Sequence, residues 1–244
     1  MNKNNIGREI SGVYIEFHDV VFKTKNGVIF DGLSCSLDKN LITVLLGYNG
    51  AGKTAFLRII SGLSRPTTGA VKLTRNSKEL LSKNVTMLFH KPIMLKRSVW
   101  SNIVYGLERG AMDKSELFRF IQEAGIVHLV KRPAREISAG EQQRVAFVRA
   151  LARQPRVLLL DEPTSNLDPF SVHIIERMIR KINNLGIKII MVTHNIEQAK
   201  RLAGEIIFLQ DGQILEQVKG SQFSDIKEQS ILKRFALGKD LKND

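Results

Sequence analysis

The first part of the chain alternates short apolar runs with turn residues. Residues 13–22 (VYIEFHDVVF) and 28–37 (VIFDGLSCSL) read as strands separated by the turn sequence KTKNG. Residues 41–46 (LITVLL) are wholly apolar, the pattern of a strand buried on both faces. Residues 53–61 (KTAFLRIIS) change to helical spacing and stop at Gly62. Between the last two lies GYNGAGKT, so the unit is strand, glycine loop, helix.

From about 91 to 153 the period becomes helical throughout. Segments 98–110 (SVWSNIVYGLERG), 113–125 (DKSELFRFIQEAG) and 127–132 (VHLVKR) each space apolar residues three and four apart. Segment 138–154 (SAGEQQRVAFVRALARQ) does the same behind a serine suited to cap it. Strands and helices then alternate again: strand 156–162, helix 169–184, strand 187–193, helix 195–203, and a hairpin over 205–217 turned at Asp211-Gly212. This alternation at both ends predicts an α/β fold with a mainly parallel core sheet and a helical insertion from the middle.

Composition narrows the class. The 244 residues, 43% hydrophobic and 25% charged, suit one sizeable core with an inserted subdomain. No stretch approaches the length of an apolar membrane span, and the N-terminal MNKNNIGREI lacks the apolar centre of a secretion signal, so the expectation is a cytoplasmic protein. Cys35, the one cysteine, reads as a small hydrophobe in a strand. The net charge of +13 is scattered in pieces such as MLKRS, VKRPAR and ILKRF rather than gathered into an aromatic-interleaved stripe. Work beside an anionic membrane therefore fits the charge better than nucleic-acid binding.

The chemistry sits in two places. In Gly47, Tyr48, Asn49, Gly50, Ala51, Gly52, Lys53 and Thr54 the pattern GxxxxGK[ST] turns backbone N–H groups toward phosphates. Lys53 reaches the terminal phosphates, the Thr54 hydroxyl ligates Mg²⁺, and the following helix aims its positive dipole end at the same anions. The companion is VLLLDEP (157–163), an apolar strand ending in acids. Asp161 is the expected Mg²⁺ partner and Glu162 the group that polarises an attacking water. The substrate is then a nucleoside triphosphate and the reaction hydrolysis, since no acceptor site for a kinase is evident. A binding module that used the fold only as a switch on DNA would have no need of Glu162.

Further segments carry a family resemblance. ISAGEQQR (137–144) resembles the signature of ATP-binding cassette (ABC) ATPases, SNLD (165–168) their D-loop, MVTHN (191–195) their switch histidine, and LFHKP (88–92) falls at their Q-loop. The elements occur in the family's order and cover nearly all of residues 14–217. The resemblance implies a P-loop NTPase fold of the ABC type with an antiparallel β subdomain and a helical subdomain. The expected division is a nucleotide-binding core over 13–90 and 155–218, a helical subdomain over 91–154, and a short tail over 219–244 without a regulatory domain.

It also implies ATP and Mg²⁺ as ligands and a head-to-tail dimer. Each ATP lies between one subunit's phosphate loop and the other's signature, Ser138, Ala139, Gly140 and Glu141. Asn166 and Asp168 belong to the D-loop at the interface, and His194 contacts the γ-phosphate. His90 stands where the family has glutamine, a contact of Mg²⁺ and the attacking water. Thr24 falls where the family stacks adenine on an aromatic ring, which leaves Phe22 as the candidate, and Ala139 replaces a usual glycine. The implied partners are a second copy of the chain, integral membrane permease subunits docking on 91–107, and indirectly an extracytoplasmic solute-binding protein, at the cytoplasmic face of a prokaryotic membrane. HKPIMLKRSVWSNIVYGL (90–107) and VKRPAREISAGEQQRVAFVRALARQP (130–155) most resemble the tungstate importer branch, with phosphate and molybdate importer ATPases as neighbours. Family members acting on DNA or ribosomes are the remoter alternative.

Overall fold

The computed structural model describes residues 12–80, 82–105, 107, 112–225 and 230–237. The N-terminal decapeptide, the glycine-rich end of segment 98–110 and much of the 219–244 tail lie outside the described residues.

Two sheets sandwich one helix. The four-stranded sheet is antiparallel, in the order β2 (Gly27–Leu37), β1 (Tyr14–Thr24), β4 (Thr68–Arg75), β5 (Lys78–Glu79). The six-stranded sheet runs β10 (Gln213–Lys219), β9 (Glu205–Gln210), β3 (Thr43–Leu46), β8 (Lys188–Val192), β7 (Val157–Asp161), β6 (Val85–Leu88). All its pairs are parallel except β10 with β9, the hairpin predicted at Asp211-Gly212, where both residues have positive φ. The helices are α1 (Lys53–Ile60), α2 (Val99–Val104), α3 (Lys114–Glu123), α4 (Ala139–Ala152), α5 (Pro169–Asn184), α6 (Ile196–Leu202) and α7 (Ile231–Ala236).

Strands β3, β7 and β8 are buried along their whole length, so their alternate side chains feed two cores. Leu158, Leu160, Ile189 and Met191 face a cluster shared with α2 to α6. Val157, Leu159, Ile190 and Val192 face a second cluster with α1 and the antiparallel sheet. There Phe56 of α1 stacks on Phe17 at 4.3 Å between ring centroids and meets the edge of Phe30 at 6.5 Å. Each such fully buried side chain contributes about 1.5–3 kcal/mol of transfer free energy. The helix that follows the glycine loop is thereby fixed between two sheets. Cys35 sits half-buried in β2 as expected, and burial pushes its thiol pKa up to about 12, far from a reactive thiolate.

Two expectations change. Residues 127–132 make only one 3₁₀ turn, Val127–Leu129, not a helix. Strands β4, β5 and β6 have no counterpart in the sequence pattern described above.

Candidate functional site

The sheet order explains why distant segments meet. Strands β3, β8, β7 and β6 are consecutive neighbours, all parallel, so they end on one edge. The glycine loop leaves β3, His194 follows β8, Asp161 ends β7 with Glu162 directly after it, and His90 follows β6. Glu162 therefore stands between the two histidines.

Glycine is required in the loop for different reasons at its two ends. Gly47 has φ 148°, and a Cβ there would lie 2.0 Å from the Leu209 carbonyl oxygen. Gly52, the N-cap of α1, has φ 100° and packs against the Phe30 ring, 2.9 Å from where a Cβ would sit. Lys53 opens α1 and is buried, 7% exposed, with Nζ donating to the carbonyl oxygens of Gly47 and Tyr48, both at 2.7 Å. Burial lowers its pKa, while the Glu162 and Asp161 carboxylates oppose that shift.

Thr54 Oγ1 donates to Asp161 Oδ2 at 3.1 Å. Burial raises the Asp161 pKa, the Thr54 hydrogen bond pulls it down, and the Glu162 charge pushes it up. A hydroxyl beside a carboxylate is a hard oxygen pair that fits Mg²⁺, which takes few protein ligands and completes its shell with water and phosphate. The described residues contain no cluster of three or more His, Cys, Asp or Glu side chains that would hold a metal unaided.

Glu162 is the most constrained residue of the site. Its φ is 48°, in a region non-glycine residues rarely adopt, and its N–H donates to the Val192 carbonyl at 3.0 Å. Its Oε1 lies 2.8 Å from His194 Nε2. Its Oε2 accepts a 2.8 Å bond from Ser165 Oγ and lies 3.6 Å from His90 Nδ1, a buried nitrogen with no hydrogen-bond partner among the described residues. Behind His194, Thr193 donates to Gln198 Oε1 at 2.9 Å, and Gln198 Nε2 donates to Thr164 and Glu176 at 2.8 and 3.0 Å. This network ties the strand end to α5 and α6.

A cleft of about 300 Å³ is lined by loop residues 49–55 with Ile29, Glu162, Val192 and His194. Phe22 does not line it; that half-buried ring packs beside Phe30, 6.4 Å between centroids. Tyr48 does not line it either, and its ring faces Phe208 and Phe235. The signature residues lie away from this cleft. Ser138 caps α4 in a reciprocal box with Glu141, its N–H donating to Glu141 Oε2 at 2.8 Å and its Oγ accepting from Glu141 N at 3.3 Å. Ser138 and Ala139 are exposed. Gly140 is buried, and a Cβ there would come within 2.4 Å of Ser171 Oγ. Asp168 caps α5 through Ser171 N at 2.9 Å, and Asn166 is exposed with φ 59°. The sequence placed Ser165 at the head of the SNLD segment without giving it a role, although its place three residues after Glu162 was a usable signal.

A larger groove, about 620 Å³, lies elsewhere, between β6, residues 89–95, Tyr105 and α4. Phe89, Ile93 and Tyr105 are 45%, 78% and 65% exposed along it.

Strand order, glycine loop and paired acids together define a nucleoside triphosphatase. The ABC transporter family profile matches residues 30–165, and the chain belongs to that family as an ATP-binding, ATP-hydrolysing subunit. A tungstate uptake system ATP-binding protein of Peptoclostridium acidaminophilum is 40% identical over 193 residues, 77% of this chain and 90% of that protein. A phosphate import ATP-binding protein of Campylobacter jejuni is 32% identical across 89% of this chain and 95% of its own length. A methionine import ATP-binding protein of Carboxydothermus hydrogenoformans is 34% identical across 77% and 60%. The fold matches a nucleotide-free ATP-binding cassette from an ABC transporter with TM-score 0.78 at 18% identity, covering 92% of this chain and 98% of that one.

Proposed function

We propose that this chain is the ATPase of an importer, hydrolysing Mg²⁺-bound ATP between two head-to-tail copies and driving separate permease subunits that carry tungstate. The observation that carries the hydrolytic reading is Glu162, a carboxylate beside His194, His90 and Ser165 at the mouth of the glycine-loop cleft. In this reading the loop amides and Lys53 hold the phosphates, exchanging the Gly47 and Tyr48 carbonyls for phosphate oxygens. Thr54 and Asp161 hold Mg²⁺, which supplies positive charge against the phosphates. Glu162 orients a water and takes its proton, and His194 stabilises charge on the γ-phosphate. In this reading His90 takes the place of the family's glutamine, its Nδ1 3.6 Å from Glu162 Oε2 and without a hydrogen-bond partner among the described residues.

Exposed Ser138 and Ala139 at the start of α4 offer the Ser138 hydroxyl and the Ala139 N–H to the nucleotide of a second copy. The apolar groove at Phe89, Ile93 and Tyr105 takes the membrane subunit, at the cytoplasmic face of the membrane. No helix among the described residues is long and apolar enough to cross the bilayer, and in this reading the path for solute belongs to the permease subunits. The basic net charge suits an anionic membrane face.

Tungstate rests on the 40% relative, against 32% and 34% for the phosphate and methionine proteins. The test is deletion of the gene followed by tungsten and phosphate uptake measurements. Loss of tungsten uptake with normal phosphate supports the assignment, and loss of phosphate uptake instead transfers it. In vitro, tungstate alone leaves the hydrolysis rate unchanged, and stimulation requires the permease and the loaded binding protein together.

A further inference from the structure

We propose that the C-terminal helix α7 positions the phosphate loop, acting through the Phe235 ring on Tyr48. The inference rests on the reading of that loop as the phosphate site. Tyr48 is the loop's second residue. Its carbonyl accepts from Lys53 Nζ at 2.7 Å and from Ala51 N at 3.2 Å, so a displacement of Tyr48 moves the lysine's acceptor and the turn together. The loop's glycines at 47, 50 and 52 all have positive φ and bring maximal backbone freedom, which raises the cost of ordering it.

Order is supplied from outside by three rings in mutual edge contact. Tyr48 meets Phe235 at 5.1 Å and Phe208 at 6.2 Å, each at 86°, and Phe208 meets Phe235 at 4.9 Å. Phe208 belongs to β9 and is fully buried, so it is a fixed wall. Phe235 lies on a helix of six residues that has too few turns to stand alone. Tertiary contacts hold helix α7 against the sheet. The Glu216 carboxylate of β10 accepts from Ser230 Oγ at 2.7 Å, Ile231 N at 2.9 Å and Leu232 N at 3.1 Å, serving as a borrowed N-cap. Leu232 is fully buried in the core beside α6 and β9. Docking α7 therefore closes the ring cluster over Tyr48, and undocking it opens one side of the loop's anchor.

An aromatic pair of this geometry is equivalent to about a two- to tenfold change in an equilibrium constant. The test is calorimetric titration of the purified full chain with MgADP, paired with steady-state ATP hydrolysis. Phe235→Ala raises the ADP Kd and the ATP KM by about two- to tenfold while kcat moves less than KM. Phe235→Leu, which keeps apolar volume but loses the ring, gives the same shift with an unfolding temperature near wild type, and Phe235→Tyr restores affinity. Glu216→Ala, remote from the loop, reproduces the shift, and the double variant Tyr48→Ala with Phe235→Ala binds no worse than Tyr48→Ala alone. Wild-type affinity in folded Phe235→Ala and Phe235→Leu, or additive losses in the double variant, overturns the proposal. Lys53→Ala separates the two levels: if it binds MgADP like wild type, the loop is not the phosphate site, and the functional reading fails first.

Discussion

Glu162 combines a left-handed backbone with a carboxylate contacted on both oxygens, and the two features are linked. The positive φ turns the residue out of β7 immediately after Asp161, so adjacent acids take different directions, one toward Thr54 and one between the histidines. A residue in that conformation costs about 1–3 kcal/mol, which the surrounding hydrogen bonds must offset. Glu162→Gln retains size and keeps an oxygen to accept from Ser165. It removes the proton acceptor, so single-turnover phosphate release falls about 10²–10⁴-fold with ATP affinity preserved. Near-normal release would take Glu162 out of the chemistry. At His90, a glutamine carries an amide oxygen to the same place as the imidazole's lone pair, so His90→Gln keeps hydrolysis within a few-fold of wild type and His90→Ala does not. Equal rates for wild type, His90→Gln and His90→Ala would remove His90 from the site.

Among the elements, β8 is stitched to its neighbours by a buried cation. Lys188 Nζ donates to the carbonyls of Asp38 and Leu41 and to Thr43 Oγ1, and Thr43 in turn donates to Glu205 Oε2 at 2.6 Å. One ammonium thus joins β8 to β3 and, through Thr43, to β9. Lys188→Met leaves three acceptors without that donor and lowers stability by about 2–4 kcal/mol in denaturant unfolding. Burial holds the Lys188 pKa down to about 8, against the carboxylates of Glu205 and Asp38, whereas unfolded lysine titrates near about 10.4. Between those values the unfolded chain binds more protons than the folded one, so native stability rises with pH across that window and is insensitive to this group below it. The gap between wild type and Lys188→Met accordingly widens from about pH 7.5 to about pH 9.5, and a constant gap would mean that Lys188 titrates normally.

The same elements show what the sequence could reveal. Strands β3, β7 and β8 each hold three or four consecutive apolar residues, so burial on both faces was legible. The edge of β4 buries only Leu73, β5 has two residues and β6 four, too little for a period to register. These strands form because β1, β4 and β7 offer β4, β5 and β6 a ladder, which is tertiary information. The loop and the acids were readable because phosphate chemistry fixes their local spacing. The meeting of Glu162 with His90, and of Tyr48 with Phe235, was not, because strand order and the return of the C-terminus decide both.

For the whole molecule the decisive question is what faces the α4 N-terminus. Ser138 and Glu141 satisfy each other, Gly140 is taken up by Ser171, and neither Ser138 nor Ala139 lines the chain's own cleft. Exposed Ala139 is the first residue of α4, where a carboxylate favours the helix dipole by about 0.3–1 kcal/mol. Ala139→Glu therefore preserves or improves the fold of the single chain. In a head-to-tail dimer the same carboxylate meets the partner's γ-phosphate, and like charges at close range repel. With hydrolysis blocked by Glu162→Gln, ATP shifts the chain from monomer to dimer in sedimentation velocity. Adding Ala139→Glu abolishes that shift while MgADP affinity, which depends on the chain's own loop, stays at the level of the single variant. Should the doubly substituted chain still dimerise with ATP, the signature does not face nucleotide across the interface, and hydrolysis would be assigned to a site within one chain.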